Sequence, residues 1–265
     1  MYSVNYHRAA SLADAGKLLK TGDAKLLSGG MTLLPAMKTR LSAPSDLVDI
    51  SRIDALKGIK VSGKNVTIGA ATTHYEVSTS DKLAKVCPAL AHLASLIGDP
   101  AVRHRGTIGG SIANNDPAAD YPAAMLALGA TIVTNKREIA AEKFFKGLFE
   151  TALKDGEIVT AVTFTAPAKA GYEKFRNPAS RYAMVGVFVA KGKGVTVAVT
   201  GAGDDGVFRS KELEAALSKN FDASALAGVS VPAKGLMSDM HASAEYRAHL
   251  ITVMAKRAVT QANAA

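Results

Sequence analysis

Cysteine is almost absent from this 265-residue chain, in which Cys87 is the only one. A single cysteine excludes a disulfide within the chain. It also excludes an iron–sulfur cluster or a structural zinc site built from several thiolates. The six histidines form no closely spaced pair of the kind that binds metals. We therefore predict that the chain carries no metal of its own.

Long apolar runs and tryptophan are missing as well. No run approaches the ~20 residues that a membrane-spanning helix requires, and the first residues lack the apolar core of a signal peptide. These absences predict a cytoplasmic protein, with an association of its complex with the inner face of the membrane left open. The formal net charge is +9, but the basic residues are spread along the chain. We therefore expect no nucleic-acid partner.

The most informative stretch that is present covers residues 98–122, GDPAVRHRGTIGGSIANNDPAADYP. It places Gly109 and Gly110 between two hydroxyl residues, Thr107 and Ser111. Residues without side chains let backbone N–H groups approach a ligand closely, and successive N–H groups favour an anion. Asp116 and Pro117 then predict the start of a capped, Ala-rich segment.

A second glycine pair, Gly29–Gly30, lies far upstream. It follows a predicted strand, Ala24–Leu27, and precedes a predicted helical segment, Leu33–Thr39. This order suits a phosphate group at the start of a helix. Neither glycine pair matches G-x-G-x-x-G or the P-loop pattern, so Rossmann and NTPase classes are disfavoured. Two such motifs in one chain predict a bound dinucleotide.

Composition shifts near residues 167–171, where we place the main domain boundary. Alternating apolar residues predict strands at about Tyr172–Phe175, Tyr182–Ala190 and Val195–Thr200. The last predicted helix covers about residues 244–262 and is amphipathic. The layout is therefore mixed α+β with a helical end.

Three further residues, Asp120, Lys174 and Tyr182, are candidates for ligand contact that also have an ordinary structural interpretation. Asp120 is either a helix-start residue favoured by the helix dipole or a carboxylate that accepts hydrogen bonds from ribose or ribityl hydroxyls. Spacing alone favours Lys174 and Tyr182 as strand residues on a half-exposed sheet.

The two glycine motifs and their continuations carry a resemblance to a known family. The continuations are Pro35–Arg40 (PAMKTR) after the first pair and Ala113–Asp120 (ANNDPAAD) after the second, joined by Asp46–Ile50 (DLVDI). Together they resemble the FAD-binding medium subunit of the molybdenum hydroxylases. That group includes the medium subunit of aerobic carbon monoxide dehydrogenase and the FAD subunit of xanthine dehydrogenase. The resemblance covers essentially the whole chain.

The resemblance implies an α+β architecture in two domains. Residues 1–167 are expected to form a two-subdomain FAD-binding fold of the vanillyl-alcohol oxidase (PCMH) type, with subdomains at about 1–52 and 53–167. Residues 168–265 are expected to form a C-terminal domain of the carbon monoxide dehydrogenase flavoprotein type, with a small antiparallel sheet and a helical bundle.

The resemblance also implies which residues bind FAD. Both glycine motifs would hold the pyrophosphate, Tyr182 would lie against the isoalloxazine ring, and no side chain would be catalytic. Ser111 stands where the family usually has asparagine, and Met31 replaces a more usual polar residue. The implied cofactor-binding residues are Leu27, Ser28, Gly29, Gly30, Met31, Thr32, Leu33, Leu34, Ile97, Thr107, Ile108, Gly109, Gly110, Ser111, Asp120, Ile158, Val159, Lys174 and Tyr182.

The function implied by the resemblance is electron transfer within a molybdenum hydroxylase. A large subunit would carry the molybdenum–pterin cofactor and a small subunit two [2Fe-2S] clusters, in a dimer of heterotrimers. Electrons would leave FAD for NAD⁺, a quinone or O₂. Two alternatives remain open: a stand-alone flavin oxidase or reductase of the same fold, and a non-catalytic basic module that binds nucleotides or nucleic acid.

Overall fold

Three β-sheets and one short hairpin, with helices packed on them, build the structure, a computed structural model that describes residues 1–264. The strands are β1 (Asn5–Arg8), β2 (Ala24–Leu27), β3 (Asp46–Asp49), β4 (Ile59–Ser62), β5 (Asn65–Gly69), β6 (Thr131–Thr134), β7 (Glu138–Ala140), β8 (Phe145–Gly147), β9 (Glu150–Thr151), β10 (Val159–Thr165), β11 (Lys169–Arg176), β12 (Ala183–Lys191), β13 (Val195–Thr200) and β14 (Phe208–Arg209).

Helices occupy much of the remaining chain. They are α1 (Leu12–Leu18), α2 (Leu33–Lys38), α3 (His74–Ser78), α4 (Asp81–Val86), α5 (Pro88–Ser95), α6 (Pro100–Arg105), α7 (Ile108–Asn114), α8 (Tyr121–Ala127), α9 (Ala141–Phe144), α10 (Lys211–Lys219) and α11 (Ala244–Ala264). Within residues 1–264, no helix is both long enough and apolar enough to cross a membrane.

The first sheet is parallel, with strand order β1-β3-β2. Parallel neighbours need crossover connections, and α1 and α2 supply them. Ser11 begins α1 by accepting a hydrogen bond from the Asp14 N–H at 3.1 Å, a cap that its Ser-x-x-Asp spacing favours. All four residues of β3 are buried because this strand lies between the other two.

The second sheet is antiparallel, with order β4-β5-β10-β6-β7. β4 and β5 form a hairpin in which Ser62 pairs with Asn65, and their alternation of apolar and polar residues is typical of such a pair. One buried cluster joins the inner side chains of this sheet to those of α5, α7 and α8; it includes Leu90, Ile112 and Met125. This packing fixes the start of α7, which carries the second glycine pair, against the end of β5.

The third sheet, β11-β12-β13-β14, is antiparallel and is covered by the long helix α11. Ile251, Ala255 and Val259 of α11 are fully buried against it. The helix approaches so closely that a Cβ added to Gly171 would lie 1.9 Å from the Ala258 carbonyl oxygen. Only glycine therefore fits at this point of β11.

The mixed α+β class and the final helix are confirmed, and two local expectations need correction. Tyr182 precedes β12 rather than opening it. Gly109 and Gly110 lie in the first turn of α7 rather than in a loop, because the Thr107 side chain caps that helix. The sheets occupy residues 5–49, 59–165 and 169–209; a domain boundary at 167 stays a prediction.

Gly171 offers a test of the packing of α11. We expect Gly171→Ala to lower the free energy of unfolding by about 3 kcal/mol, because the added methyl group has to push the helix off the sheet. Gly194→Ala, at a position with open space around its Cβ, is the control and should change stability by less than about 0.5 kcal/mol. Denaturant unfolding measures both; equal stabilities would contradict the close approach.

Candidate functional site

The two glycine motifs meet in the folded chain. Ser28 Oγ lies 3.0 Å from Thr107 Oγ1, although these residues are 79 positions apart. A Cβ added to Gly29 would lie 2.2 Å from the Arg105 carbonyl oxygen and 2.8 Å from the Gly106 Cα. Glycine at position 29 therefore lets the two backbones touch, and the motifs form one continuous surface.

The first motif supplies free hydrogen-bond donors. Among residues 1–264, the backbone N–H groups of residues 29–33 have no acceptor, and α2 begins without a side-chain cap at Thr32. Gly30 has a positive φ of 74°, which turns the chain between β2 and α2. Five successive unpaired N–H groups suit an anionic ligand with several oxygen atoms.

The second motif behaves differently from the sequence-based expectation. The Ile108 N–H donates to the Thr72 carbonyl and the Gly109 N–H to the Ala70 carbonyl, at 3.1 and 2.9 Å. A Cβ on Gly109 would lie 2.4 Å from the Ala70 Cβ. Gly109 is therefore required for packing against β5, and its amide is not available to a phosphate.

Gly110 is the glycine of this pair that faces outward. It is exposed, and its N–H donates to Thr107 Oγ1 at 3.2 Å. A Cβ there would meet only that hydroxyl, at 2.9 Å. The second motif thus contributes a flat surface without a side chain, followed by the half-buried Ser111. A ligand bound by residues 29–33 can lie against it.

A buried polar cluster forms around Asp120, just before α8. Asp120 Oδ1 accepts a hydrogen bond from Tyr172 Oη at 2.5 Å and lies 2.9 Å from Lys174 Nζ. The Lys174 side chain is 2% exposed, which overturns its interpretation as a half-exposed strand residue. Asp120 does stand at the start of α8, as one of its two interpretations has it, but its side chain makes no capping hydrogen bond there.

Burial and charge act against each other in this cluster. Burial raises the pKa of Asp120, while the Lys174 ammonium and the Tyr172 hydroxyl lower it. Burial and the Asp120 carboxylate raise the pKa of Tyr172 well above its usual value, so Tyr172 stays a protonated donor. The contact between Lys174 and Asp120 is not aligned as a hydrogen bond, and the ammonium has no other acceptor within residues 1–264. A buried ammonium with unused donors indicates a ligand.

Tyr182 lies close enough to Asp120 for the charge of its carboxylate to act on the tyrosine hydroxyl. Tyr182 is 46% exposed, and burial together with the carboxylates of Asp116 and Asp120 raises the pKa of its hydroxyl. The loop that carries Tyr182 reaches the loop that carries Ile97, because Arg181 Nη1 donates to the Gly98 carbonyl at 3.5 Å. The exposed tyrosine is thus available to a ring-shaped ligand.

The other predicted residues fall into two groups. Ile108, Ile158 and Val159 have side chains buried in the protein core, so cofactor contact of these side chains stays a prediction. The remaining members surround the first motif. Leu27 and Leu34 pack beside Gly30, Met31 is exposed, and Thr32 and Leu33 begin α2.

Sequence reasoning missed His74, which lies beneath the meeting point of the motifs. The backbone N–H of His74 donates to the Gly106 carbonyl at 2.9 Å, and the imidazole ring packs on the Tyr121 ring with 5.4 Å between their centroids. Within residues 1–264 its Nδ1 has no hydrogen-bond partner. Burial, with the charge of Arg103, lowers its pKa to about 4. Thr73 and Glu76 form a capping box that predicts the helix, but no local pattern signals the burial of this ring.

Free amides, an outward glycine surface and a buried ammonium are each features that suit a ligand with phosphate and hydroxyl oxygens. No group of three His, Cys, Asp or Glu residues within the described part of the chain is arranged to hold a metal ion.

Comparison with known proteins agrees with a ligand of this kind. A family model described as the FAD binding domain in molybdopterin dehydrogenase matches residues 2–167. The carbon monoxide dehydrogenase medium chain of Afipia carboxidovorans is 38% identical and covers 99% of this chain and 97% of its own length. The nicotine 6-hydroxylase medium subunit of Paenarthrobacter nicotinovorans is 34% identical, with 99% and 98% covered. The solved structure of reconstituted CO dehydrogenase from Oligotropha carboxidovorans superposes with a TM-score of 0.89 at 36% identity, covering 99% and 98%.

The chain belongs to the family of FAD-binding domains of molybdopterin dehydrogenases, the molybdenum hydroxylases. Its cofactor is FAD, its class of activity is oxidoreductase, and the resemblance seen in the sequence is confirmed. The residues present fit this cofactor, because the unpaired N–H groups of residues 29–33 and the unsatisfied Lys174 ammonium suit its phosphate and hydroxyl oxygens.

His74 generates a prediction about pH. Its pKa is about 4 in the folded chain and about 6.5 when unfolded, so between these values only the unfolded state gains the proton. The contribution of His74 to the free energy of unfolding is therefore unaffected by pH above pH ~6.5. It falls by about 3 kcal/mol as the pH drops to ~4. Denaturant unfolding across this pH range should show that the free energy of unfolding changes less steeply with pH in His74→Leu than in the wild type.

His241→Leu is the matched control, because this histidine is exposed in the folded chain. It should retain the wild-type slope. If His74→Leu leaves this slope unchanged, the buried ring does not contribute to the pH dependence of stability.

Proposed function

We propose that this chain is the electron-transfer subunit of a heterotrimeric molybdenum hydroxylase. In this proposal it takes electrons from the [2Fe-2S] clusters of a small partner subunit, while a large partner subunit holds the molybdenum–pterin cofactor and oxidises the substrate. One observation carries the proposal: a chain with a site for FAD has a single cysteine and therefore no thiolate set for a cluster. The [2Fe-2S] clusters of this proposal therefore belong to another chain.

The proposed roles of its residues are binding and positioning. The N–H groups of residues 29–33 bind the pyrophosphate oxygens, and Gly110 leaves the space in which the pyrophosphate lies. Asp120 and Lys174 bind polar groups nearer the ring, and Tyr182 covers the ring. Bound FAD supplies a carrier that accepts electrons singly and releases them in pairs. No side chain is assigned a proton transfer.

Partner identity, electron acceptor and assembly are parts of the same proposal. The relatives named as medium chains and medium subunits support large and small partner subunits. NAD⁺, a quinone or O₂ as the acceptor, a dimer of heterotrimers and a cytoplasmic location stay predictions from the sequence.

The alternative of a stand-alone flavin oxidase would be favoured by a cysteine linked to the flavin. Cys87 is fully buried between α4 and α5, and burial raises the pKa of its thiol to about 11. A buried, protonated thiol is a poor nucleophile. The alternative of a non-catalytic nucleic-acid-binding module is overturned by the family match.

Gly110→Val tests the pyrophosphate site. The valine Cβ would meet only the Thr107 hydroxyl, at 2.9 Å, which has to shift, so the free chain should still fold while its FAD dissociation constant rises at least about tenfold. Flavin fluorescence titration of the apoprotein measures this affinity. Gly194→Val is the control and should bind FAD like the wild type. Unchanged FAD affinity in Gly110→Val would contradict the assigned site.

A second experiment tests the dependence on partners. The purified chain loaded with FAD should show no oxidation of carbon monoxide, purines or aldehydes. When it is assembled with its large and small subunits, the substrate of that complex should bleach the flavin absorbance. Removing FAD should stop delivery to the acceptor while the clusters still become reduced. Substrate turnover by the isolated chain would instead favour a stand-alone enzyme.

A further inference from the structure

The polar cluster at Asp120 is made by residues from both ends of the fold. Asp120 ends the turn before α8, while Tyr172 and Lys174 come from β11, more than fifty positions later. Residues two positions apart in a strand point to the same face. The hydroxyl and the ammonium therefore reach the carboxylate from the same side of the third sheet.

Both contacts fall on one oxygen of the carboxylate. Tyr172 Oη is 2.5 Å and Lys174 Nζ is 2.9 Å from Oδ1, while Oδ2 has no donor among residues 1–264. Carboxylates buried to this degree normally have their oxygens satisfied. Oδ2 of Asp120 and the remaining protons of Lys174 are therefore together available to a ligand.

The packing around the Tyr172 side chain fixes the position of its hydroxyl. The side chain is fully buried and its ring packs on Phe188 of the neighbouring strand, with 6.1 Å between centroids. Gly186 lies opposite Lys174 in β12, and a Cβ there would lie 2.5 Å from Tyr172 Oη. Gly186 thus leaves the space that this hydroxyl fills.

The backbone before Asp120 is fixed by the same sheet. Thr200 Oγ1 donates to the Ala119 carbonyl at 2.7 Å and to the Pro117 carbonyl at 3.0 Å, and the Gly201 N–H donates to the Pro117 carbonyl at 2.8 Å. With the main chain fixed in this way, the hydroxyl of Tyr172 decides how the carboxylate is rotated.

We propose that Tyr172 is a positioning residue for FAD, which anchors Oδ1 of Asp120 so that Oδ2 and the Lys174 ammonium face the cofactor. This inference rests on the proposed place of Asp120 at the FAD site. It makes the third sheet a part of cofactor binding, because β11 supplies both the anchor and the ammonium. Tyr172 acts through Asp120 and need not touch FAD.

Tyr172→Phe tests the inference because it keeps the buried ring and removes only the hydroxyl. We expect its FAD dissociation constant to rise about tenfold, measured by flavin fluorescence titration of the full-length apoprotein. Tyr246→Phe is the matched control, since Tyr246 is an exposed tyrosine on α11. It should bind FAD like the wild type. Unfolding of each apoprotein, followed in parallel, shows that the chains are folded.

A double-mutant cycle separates positioning from a general packing effect. In an Asp120→Asn background, Tyr172→Phe should cause less than a twofold further loss, because the carboxylate through which Tyr172 acts is gone. A tenfold loss that persists in this background would show that Tyr172 acts independently of Asp120 and would overturn the inference. Wild-type FAD affinity in Tyr172→Phe would overturn it directly.

Gly186→Ala is a second variant that keeps tyrosine at position 172 and displaces its hydroxyl. It should weaken FAD binding as Tyr172→Phe does, and wild-type affinity would count against the inference. The site assignment itself fails if Asp120→Asn alone leaves FAD affinity unchanged. The inference about Tyr172 alone fails if Asp120→Asn weakens binding and Tyr172→Phe does not.

Discussion

The close contact between Gly29 and the Arg105 carbonyl is the constraint on which the nucleotide site depends. It brings a loop that follows the parallel sheet against the turn that starts α7, and any side chain at position 29 would separate them. The hydrogen bond between Ser28 and Thr107 lies at the same junction. Because the two motifs touch, the free N–H groups of one and the open glycine surface of the other are adjacent, as the proposed site for one ligand requires.

The four glycines of the two motifs therefore have different structural roles. Gly29 allows two backbones to meet, Gly109 allows α7 to pack on β5, and Gly110 leaves open space. Gly30 turns the chain with a positive φ. The division explains how one short stretch contributes to both folding and binding, with only its exposed part reserved for the cofactor.

The third sheet contributes more than a scaffold. Its strand β11 sends Tyr172 and Lys174 to the carboxylate of Asp120, and the end of β13 holds the turn before it. Burying a carboxylate and an ammonium costs free energy unless the charges pair and their other bonding positions are used. The ammonium of Lys174 has no hydrogen-bond acceptor within residues 1–264, and this unused capacity is the basis on which we propose the cluster as part of the cofactor site.

Local patterns in the sequence determined much of this protein: the capped α1, the β4–β5 hairpin, the final helix, the two glycine motifs and, through them, the family. These features depend on neighbouring residues, so they can be recognised from spacing. Tertiary structure alone decided which backbone amides are free. The Gly109 N–H donates to the Ala70 carbonyl, whereas the N–H groups of residues 29–33 have no acceptor within residues 1–264. It also decided the burial of His74 and Lys174, because distant elements remove these side chains from water. The lowered pKa of His74 and the unused donors of Lys174 follow from that burial, which no local pattern records.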